Sequence, residues 1–328
     1  MSQSQTAFKI CDLFCGTGGF SISFENVSDR FKSVYANDME PSSKAVYEAN
    51  CHGNFVLKDL TSYTRQDIEN VPDFDILTAG FSCQPFSLAG KKLGFEDERS
   101  DVFFKIVEFL AVKKPSIFIL ENVKNLLSHD EGLSFQKVMS ALTENHPYHI
   151  KYSVLDTSKV SRVPHGRERV YIIGFLDRDA HDRFQFPVAR PRSECRPIRD
   201  FMENQVATKY HYTDQSKIYD KIRDEIKDDI SDTNTVYQYR RHYVRENKSN
   251  LVPTLTANMG TGGHNVPIVK HNGVIRKLTP RECFNFQGFP AEYRFPPRMS
   301  DAKLYKLAGN AISVSIVEKI AEELLKIL

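Results

Sequence analysis

Apolar residues gather in short runs along the first half of the chain, each closed by a polar or glycine-bearing turn. Residues 8–14, FKICDLF, read as a buried strand; the turn Cys15-Gly16-Thr17-Gly18-Gly19 follows, then a helix-like stretch from Phe20. Residues 32–37, KSVYAN, predict a second strand, and residues 41–51 a helix with Pro41 near its first turn. Residues 74–79, FDILTA, predict a third strand. An amphipathic helix over 101–112 is stopped by Pro115, and a fourth strand over 116–120 comes next. VYIIGF at 170–175 predicts another. Strands alternating with helices predict an α/β protein: a doubly wound, mostly parallel sheet covered on both faces.

The texture changes near residue 185. Residues 187–199 hold three prolines and four arginines, and residues 220–232 carry six acids against three bases. Residues 237–250, YQYRRHYVRENKSN, carry four basic residues against one acid, with three tyrosines interleaved. NMGTGGHN at 258–265 is too glycine-rich for a regular helix. From Ser300 the pattern is helical again. The division predicted is a first domain built from 1–186 and 300–328, a smaller domain over 187–272, and a connecting hinge segment over 273–299.

Composition narrows the class. The 328 residues hold 44 Lys plus Arg and 42 Asp plus Glu, a formal charge of +2. That balance excludes a polycationic tail but not a locally basic surface. MSQSQTAF does not read as a secretory signal, so none is expected, and no apolar run reaches membrane-span length. The six cysteines form no CxxC pair, so reduced thiols in a cytoplasm are expected, and no zinc site.

A strand, a glycine turn and a helix make a nucleotide-type site, with backbone close to the ligand. The spacing is neither GxGxxG nor a phosphate-binding GxxxxGK[ST], and no Lys follows, which disfavours a triphosphate. Asp38, at the end of the second strand, is placed to accept from ribose hydroxyls, and Asp59 to meet a base edge. Alone, the same residues also read as a tight turn and two surface acids.

Two further features change that balance. Gly80-Phe81-Ser82-Cys83-Gln84-Pro85-Phe86-Ser87 places a cysteine just past the carboxyl end of a strand, where such sheets hold ligands. Glu121-Asn122-Val123 places an acid past the next strand, costly to hold there without work to do. With these in place the sequence resembles the DNA (cytosine-5)-methyltransferases, the bacterial restriction-modification type in particular. The resemblance covers essentially the whole chain. It rests on six blocks in order: FCGTGGF (14–20), GFSCQPFS (80–87), ENV (121–123), RER (167–169), RKLTPRECFNFQGFP (276–290) and GNAI (309–312).

By this resemblance the first domain is the catalytic, S-adenosylmethionine-binding domain, and the smaller one is an inserted target-recognition domain. Phe14, Gly16, Gly18 and Gly19 would shape the cofactor pocket. Asp38 would hold the ribose and Asp59 the adenine amino group. Met39 stands where relatives often carry an aromatic that stacks on adenine. Asn310 would complete the pocket, which predicts a carboxy-terminal helix beside the first strand. Cys83 would be the nucleophile on cytosine carbon-6. Glu121 would contact nitrogen-3 and the exocyclic amine, sharing a proton with the ring. Arg169 would contact the carbonyl oxygen at carbon-2, with Arg167 supporting it or meeting phosphate; taken alone, RER reads as a solvated charge cluster. The reaction implied moves a methyl group to carbon-5 of a flipped-out cytosine in duplex DNA, with S-adenosyl-L-homocysteine as the other product and no metal.

The loop from Gln84 to about Ser100, with Ser87, Lys91 and Lys92, suits a lid that closes over DNA, or is an ordinary surface loop. In the smaller domain Arg240, Arg241 and Arg245 suit phosphate contact, and Thr254-Leu255 resembles the Thr-Leu pair of family recognition domains. Gly260, Gly262 and Gly263 would let backbone approach a groove, and His264 and Asn265 would reach base edges. The other reading is a structural hairpin with a solvated basic face.

Two positions depart from the family. Ser82 stands where the family has proline before the nucleophile, which removes a restraint on the loop. His165 stands where relatives commonly have glutamine, and is expected to bear on the support of Arg167 and Arg169. The competing readings are a catalytically impaired DNA-binding homologue, on the strength of Ser82, and a tRNA cytosine-5 methyltransferase, against which the basic, glycine-rich second domain argues. A monomer in the cytoplasm is expected, acting on double-stranded DNA. Its expected counterpart is a cognate restriction endonuclease that acts on the same site without direct binding.

Overall fold

The computed structural model describes residues 7–81, 101–144, 146–213, 234–240, 243–261 and 266–328. It divides into two compact units: residues 1–155, 168–188 and 316–328, and residues 156–167 and 189–315.

The first unit is a sheet flanked by helices. Its elements begin with β1 (Phe8–Leu13), α1 (Gly19–Val27), β2 (Phe31–Asp38), α2 (Pro41–Asn50), β3 (Asn54–Leu57), α3 (Arg65–Glu69) and β4 (Ile76–Gly80). They continue with α4 (Asp101–Lys113), β5 (Ile117–Val123), α5 (Leu133–Thr143) and β6 (His149–Asp156). The chain then passes through a short α6 (Thr157–Val160) and β7 (His165–Gly166), which belong to the second unit, and returns to the first with β8 (Glu168–Phe175) and α7 (Arg178–Arg183). The seven-stranded sheet has the order β3-β2-β1-β4-β5-β8-β6. β3, β2, β1, β4 and β5 are parallel. β8, the VYIIGF run, is antiparallel to β5. The strand order reverses between β1 and β4, where sheets of this type hold ligands at their carboxyl ends.

Local chemistry sets these elements. Ile10, Cys11, Asp12 and Leu13 are all buried, so β1 is covered on both faces as a central parallel strand requires. α1 starts from Gly18 in the left-handed region, and α2 from Pro41 in its first turn. Phe118 of β5 lies opposite Gly174 of β8, and a Cβ at residue 174 would overlap the Phe118 ring. Glycine there lets an aromatic cross the strand pair.

The second unit carries a sheet of order β10-β9-β12-β13, made of β9 (Tyr237–Arg240), β10 (Tyr243–Glu246), β12 (Ile268–His271) and β13 (Val274–Lys277). Between them β11 (Val252–Pro253) pairs in parallel with β7. α8 (Pro280–Phe286) and α9 (Asp301–Asn310) follow, and the last helix, α10 (Val314–Leu325), belongs to the first unit from Ile316 on. α8 begins with a capping box between Thr279 and Glu282, and Glu282 also takes a bidentate pair from Arg276, both side chains buried. The predicted helical stretch from Ser300 is thus two helices, broken at Ala311–Ser313. α10 meets α1 and the turn after it, through Asn26 Nδ2 donating to Glu318 at 2.9 Å and Arg30 to the Leu328 carbonyl.

Candidate active site

The glycine turn lies at the carboxyl end of β1. Phe14, Gly16 and Gly18 all have positive φ (53°, 51° and 75°). The two glycines serve different ends. A Cβ at Gly18 would stand 2.5 Å from Cys51 Sγ and 3.1 Å from the Tyr47 ring, so that residue is small for internal packing. Among the described residues, a Cβ at Gly16 would meet only the Phe14 carbonyl, at 3.9 Å, so its outer side is open to them. Backbone exposed at such a place can be approached closely by a ligand.

Asp38 ends β2 beside this turn. One carboxylate oxygen accepts from Gly16 N–H at 2.9 Å and the other from Glu40 N–H at 2.8 Å. Burial pushes this carboxyl above its usual range, and the amide donors pull it part of the way back. The Met39 amide acts in the same direction, and a carboxylate, with about four acceptor positions, can still take a bond from a ligand hydroxyl. Met39 is 65% exposed. Asp59 is exposed and accepts from the amide and hydroxyl of Thr61, both at 2.9 Å. Asn310 is exposed at the end of α9, in the second unit.

Asp12 was hidden from sequence reading inside an apolar run. It is fully buried in β1, accepting from Thr78 Oγ1 at 2.9 Å and Ser21 Oγ at 3.2 Å. Its carboxyl is pushed up from 3.8 to about 7, first by burial and further by the charge of Asp38, against the two hydroxyl donors. A carboxyl raised in the fold stabilises most when protonated. The contribution is full below about pH 4 and is lost as pH rises to about 7. At about 1.4 kcal/mol per pH unit the upper bound is about 4 kcal/mol. Urea unfolding at pH 4 to 8 is therefore expected to show the parent losing stability relative to Asp12→Asn across that window. Parallel curves would sink the assignment.

The chemistry-bearing side chains meet on β5 and β8. Glu121 lies opposite Tyr171 and Arg169 opposite Val123, which makes Glu121 and Arg169 a diagonal pair on one face. Arg169 Nε stands 3.1 Å from Glu121 Oε1, with the two side chains 15% and 9% exposed. Phe81 extends β4: its amide donates to the Glu121 carbonyl at 3.3 Å, and its carbonyl accepts from Asn122 Nδ2 at 3.2 Å. Asn122 of the ENV block thus holds Phe81, two residues before Cys83. Cys83, Gln84, Ser87, Lys91 and Lys92 themselves lie outside the described residues, as does the replacement Ser82.

Arg167 parts from Arg169. It belongs to the second unit, is 3% exposed, and donates through Nη2 to the Ala311 carbonyl at 2.8 Å. Nearby in chain order, His165 is fully buried and its Nε2 meets the Leu255 amide at 3.4 Å.

In the recognition stretch, Tyr237 is 1% exposed and forms the small core of this sheet with Val244 and Ile268, so it is not a surface contact. Gly260 is half-buried and is small for packing: a Cβ there would stand 2.9 Å from Tyr305 Cβ. Arg245 is exposed and donates to Gln238 at 2.8 Å. Arg240 pairs through its backbone with Tyr243. Thr254 is exposed and Leu255 buried. Arg241, Gly262, Gly263, His264 and the acidic run at 220–232 lie outside the described residues. Among the described residues no cluster of His, Cys, Asp and Glu is arranged to hold a metal, and no helix is long and apolar enough to cross a membrane.

Comparison with known proteins agrees with this geometry. The family model for C-5 cytosine-specific DNA methylase matches residues 8–326. The Type II methyltransferase M.Bsp6I of Bacillus sp. (strain RFL6) is 43% identical over 322 residues, covering 97% of this chain and 98% of that one. M.NlaX of Neisseria lactamica is 34% identical over 317 residues, covering 97% and 96%. Among solved structures, the S. pombe Dnmt2 methyltransferase shares the fold with a TM-score of 0.73 at 21% identity, over 97% of this chain and 98% of that one. With its ordered motifs, its mostly parallel sheet and a match over nearly its whole length, the chain belongs to the C-5 cytosine-specific DNA methylases.

Proposed function

We propose that this enzyme is the modification arm of a restriction-modification system, methylating one cytosine of a specific duplex sequence through a covalent adduct with Cys83. The observation that carries the site assignment is the Glu121–Arg169 pair on the same strand ends that anchor Phe81, two residues before Cys83. The Type II names of its relatives support the biological role.

S-adenosyl-L-methionine, when bound, supplies a methyl group activated on a positively charged sulfur. The open side of Gly16 and the adjacent Asp38 carboxylate suit its ribose end, and the exposed Met39 offers an apolar platform for adenine. Cys83 attacks cytosine carbon-6 as a thiolate, which makes carbon-5 nucleophilic. Glu121 shares a proton with nitrogen-3, and Arg169 both orients that carboxyl and meets the carbonyl oxygen at carbon-2. After methyl transfer a base removes the carbon-5 proton and the carbon–sulfur bond breaks, returning the thiolate. The cytosine must leave the stack for groups to reach it from both faces.

Five other cysteines argue for Cys83 by contrast. Burial raises the thiols of Cys11, Cys15, Cys51, Cys195 and Cys283, away from the thiolate that the chemistry needs. The test is incubation with methyl-labelled S-adenosylmethionine and either mixed-sequence duplex DNA or tRNA, followed by mapping of the labelled base. Label at carbon-5 of cytosine in duplex is expected; label in tRNA alone, or none, overturns the reading. The basic stretch around Arg240–Arg245 adds a second expectation. Log affinity for duplex should fall linearly with log salt, with a slope of about −0.9 per phosphate neutralised. Salt-independent binding would remove these arginines from the interface.

A further inference from the structure

Three consecutive residues of the proposed recognition segment are gripped by groups far away in sequence. β11 pairs with β7, Val252 opposite His165 and Pro253 opposite Gly166. Pro253 has no N–H, so the backbone ladder cannot run on through it. The chain is held beyond that point by other means. Thr254 Oγ1 donates to the Gly166 carbonyl at 2.6 Å. The Leu255 amide donates to His165 Nε2 at 3.4 Å, and the Leu255 side chain is buried. Thr256 lies flat against Gly309 of α9, where a Cβ would overlap its carbonyl group. Thr254 and Thr256 themselves stay exposed on either side of the buried Leu255.

We propose that His165 and Gly309 are positioning residues for DNA recognition, fixing the height and register of Thr254–Thr256. This rests on the reading of that segment as a DNA contact. His165 is an acceptor for an amide that the proline-ended strand leaves without a ladder partner. Its ring must be held with the proton on Nδ1, because Nε2 receives the Leu255 hydrogen. Glutamine, which also ends in an acceptor, is the conservative replacement; leucine keeps bulk and offers none. Gly309 acts from the other side as a floor without a side chain, so the helix backbone itself sets how deep the segment sits. Arg167 reinforces the joint, since its bond to Ala311 ties the residues after β7 to the turn just past Gly309.

The experiment uses the full chain and a duplex containing the site mapped by the labelling experiment above. Duplex affinity without cofactor, S-adenosylhomocysteine affinity and thermal unfolding are measured for parent, His165→Leu and His165→Gln. His165→Leu should weaken duplex binding about tenfold, leave S-adenosylhomocysteine binding within about twofold, and be rescued by His165→Gln. A merely structural role would lower both affinities together and show no rescue, and that result, or parent-like duplex binding by His165→Leu, overturns the proposal. If His165→Leu does not fold, Gly309→Ala is read on duplex alone. Loss of at least about tenfold, with weaker discrimination against a duplex changed at one base of the site, supports the joint; parent-like binding overturns it. A parent that methylates no duplex would instead bring down the function proposed for the whole site.

Discussion

Cys83→Ala is expected to lower methyl transfer by at least about 10⁴-fold while leaving duplex binding within a few-fold of the parent. The size follows from what the thiolate does. Carbon-5 of cytosine is too weak a nucleophile to take a methyl group unaided, and addition of sulfur at carbon-6 converts the ring to an enamine-like species. An alanine leaves the bound ring in place without that activation. The loss should therefore fall on kcat and not on the affinity for DNA. Initial rates with labelled S-adenosylmethionine at saturating duplex, beside equilibrium binding of the same duplex, separate the two. Cytosine methylation by Cys83→Ala at even a tenth of the parent rate would overturn the mechanism. Ser82→Pro belongs to the same assay. If the missing proline loosens the segment that begins after the anchored Phe81, this variant gains rate; equal rates would show that anchoring by Asn122 and the Glu121 backbone suffices.

How much of this was legible in the chain depended on sequence distance. The strands at residues 8–14, 32–37, 74–79, 116–120 and 170–175 each announce themselves by a local apolar run, and each exists within a few residues of those bounds. Direction is another matter. An apolar run has no arrow, so nothing in VYIIGF says that β8 runs against β5. Asp12 was invisible for a related reason: a lone acid in FKICDLF is outvoted by its neighbours, and the hydroxyls that hold it lie 9 and 66 residues away. The available signal was the acid itself, inside a strand otherwise apolar. The same limit explains Tyr237 and Gly260, grouped with a basic, glycine-rich surface by proximity in sequence, whereas Tyr237 is buried against β12 and Gly260 packs closely on α9. Glu121 and Arg169 sit at the opposite extreme. They are 48 residues apart, yet each stands at a strand end marked by a short motif, and strand pairing brings them to 3.1 Å.

That pairing makes Glu121→Gln the second large effect: a fall of about 10²- to 10³-fold in kcat, with duplex and cofactor affinities little changed. Glutamine keeps the shape of the side chain and can still accept from Arg169, but it has no proton to share with cytosine nitrogen-3 as negative charge builds on the ring. The competing explanation is structural. Removing one member of a nearly buried ion pair leaves Arg169 without its counter-charge, which itself costs stability. The two are separable because they act on different observables. A structural loss lowers the unfolding midpoint and is matched by Arg169→Ala at equal stability cost. A chemical loss persists at temperatures where the variant is fully folded. It should also be non-additive with Arg169→Ala, since both residues serve the same ring in one transition state. Rates that recover fully once the folded fraction is accounted for would assign Glu121 to the scaffold alone. A residual deficit of about 10²-fold or more in the folded variant assigns it to the reaction, with the diagonal register of β5 and β8 as the reason an acid and an arginine so far apart in sequence act on a single base.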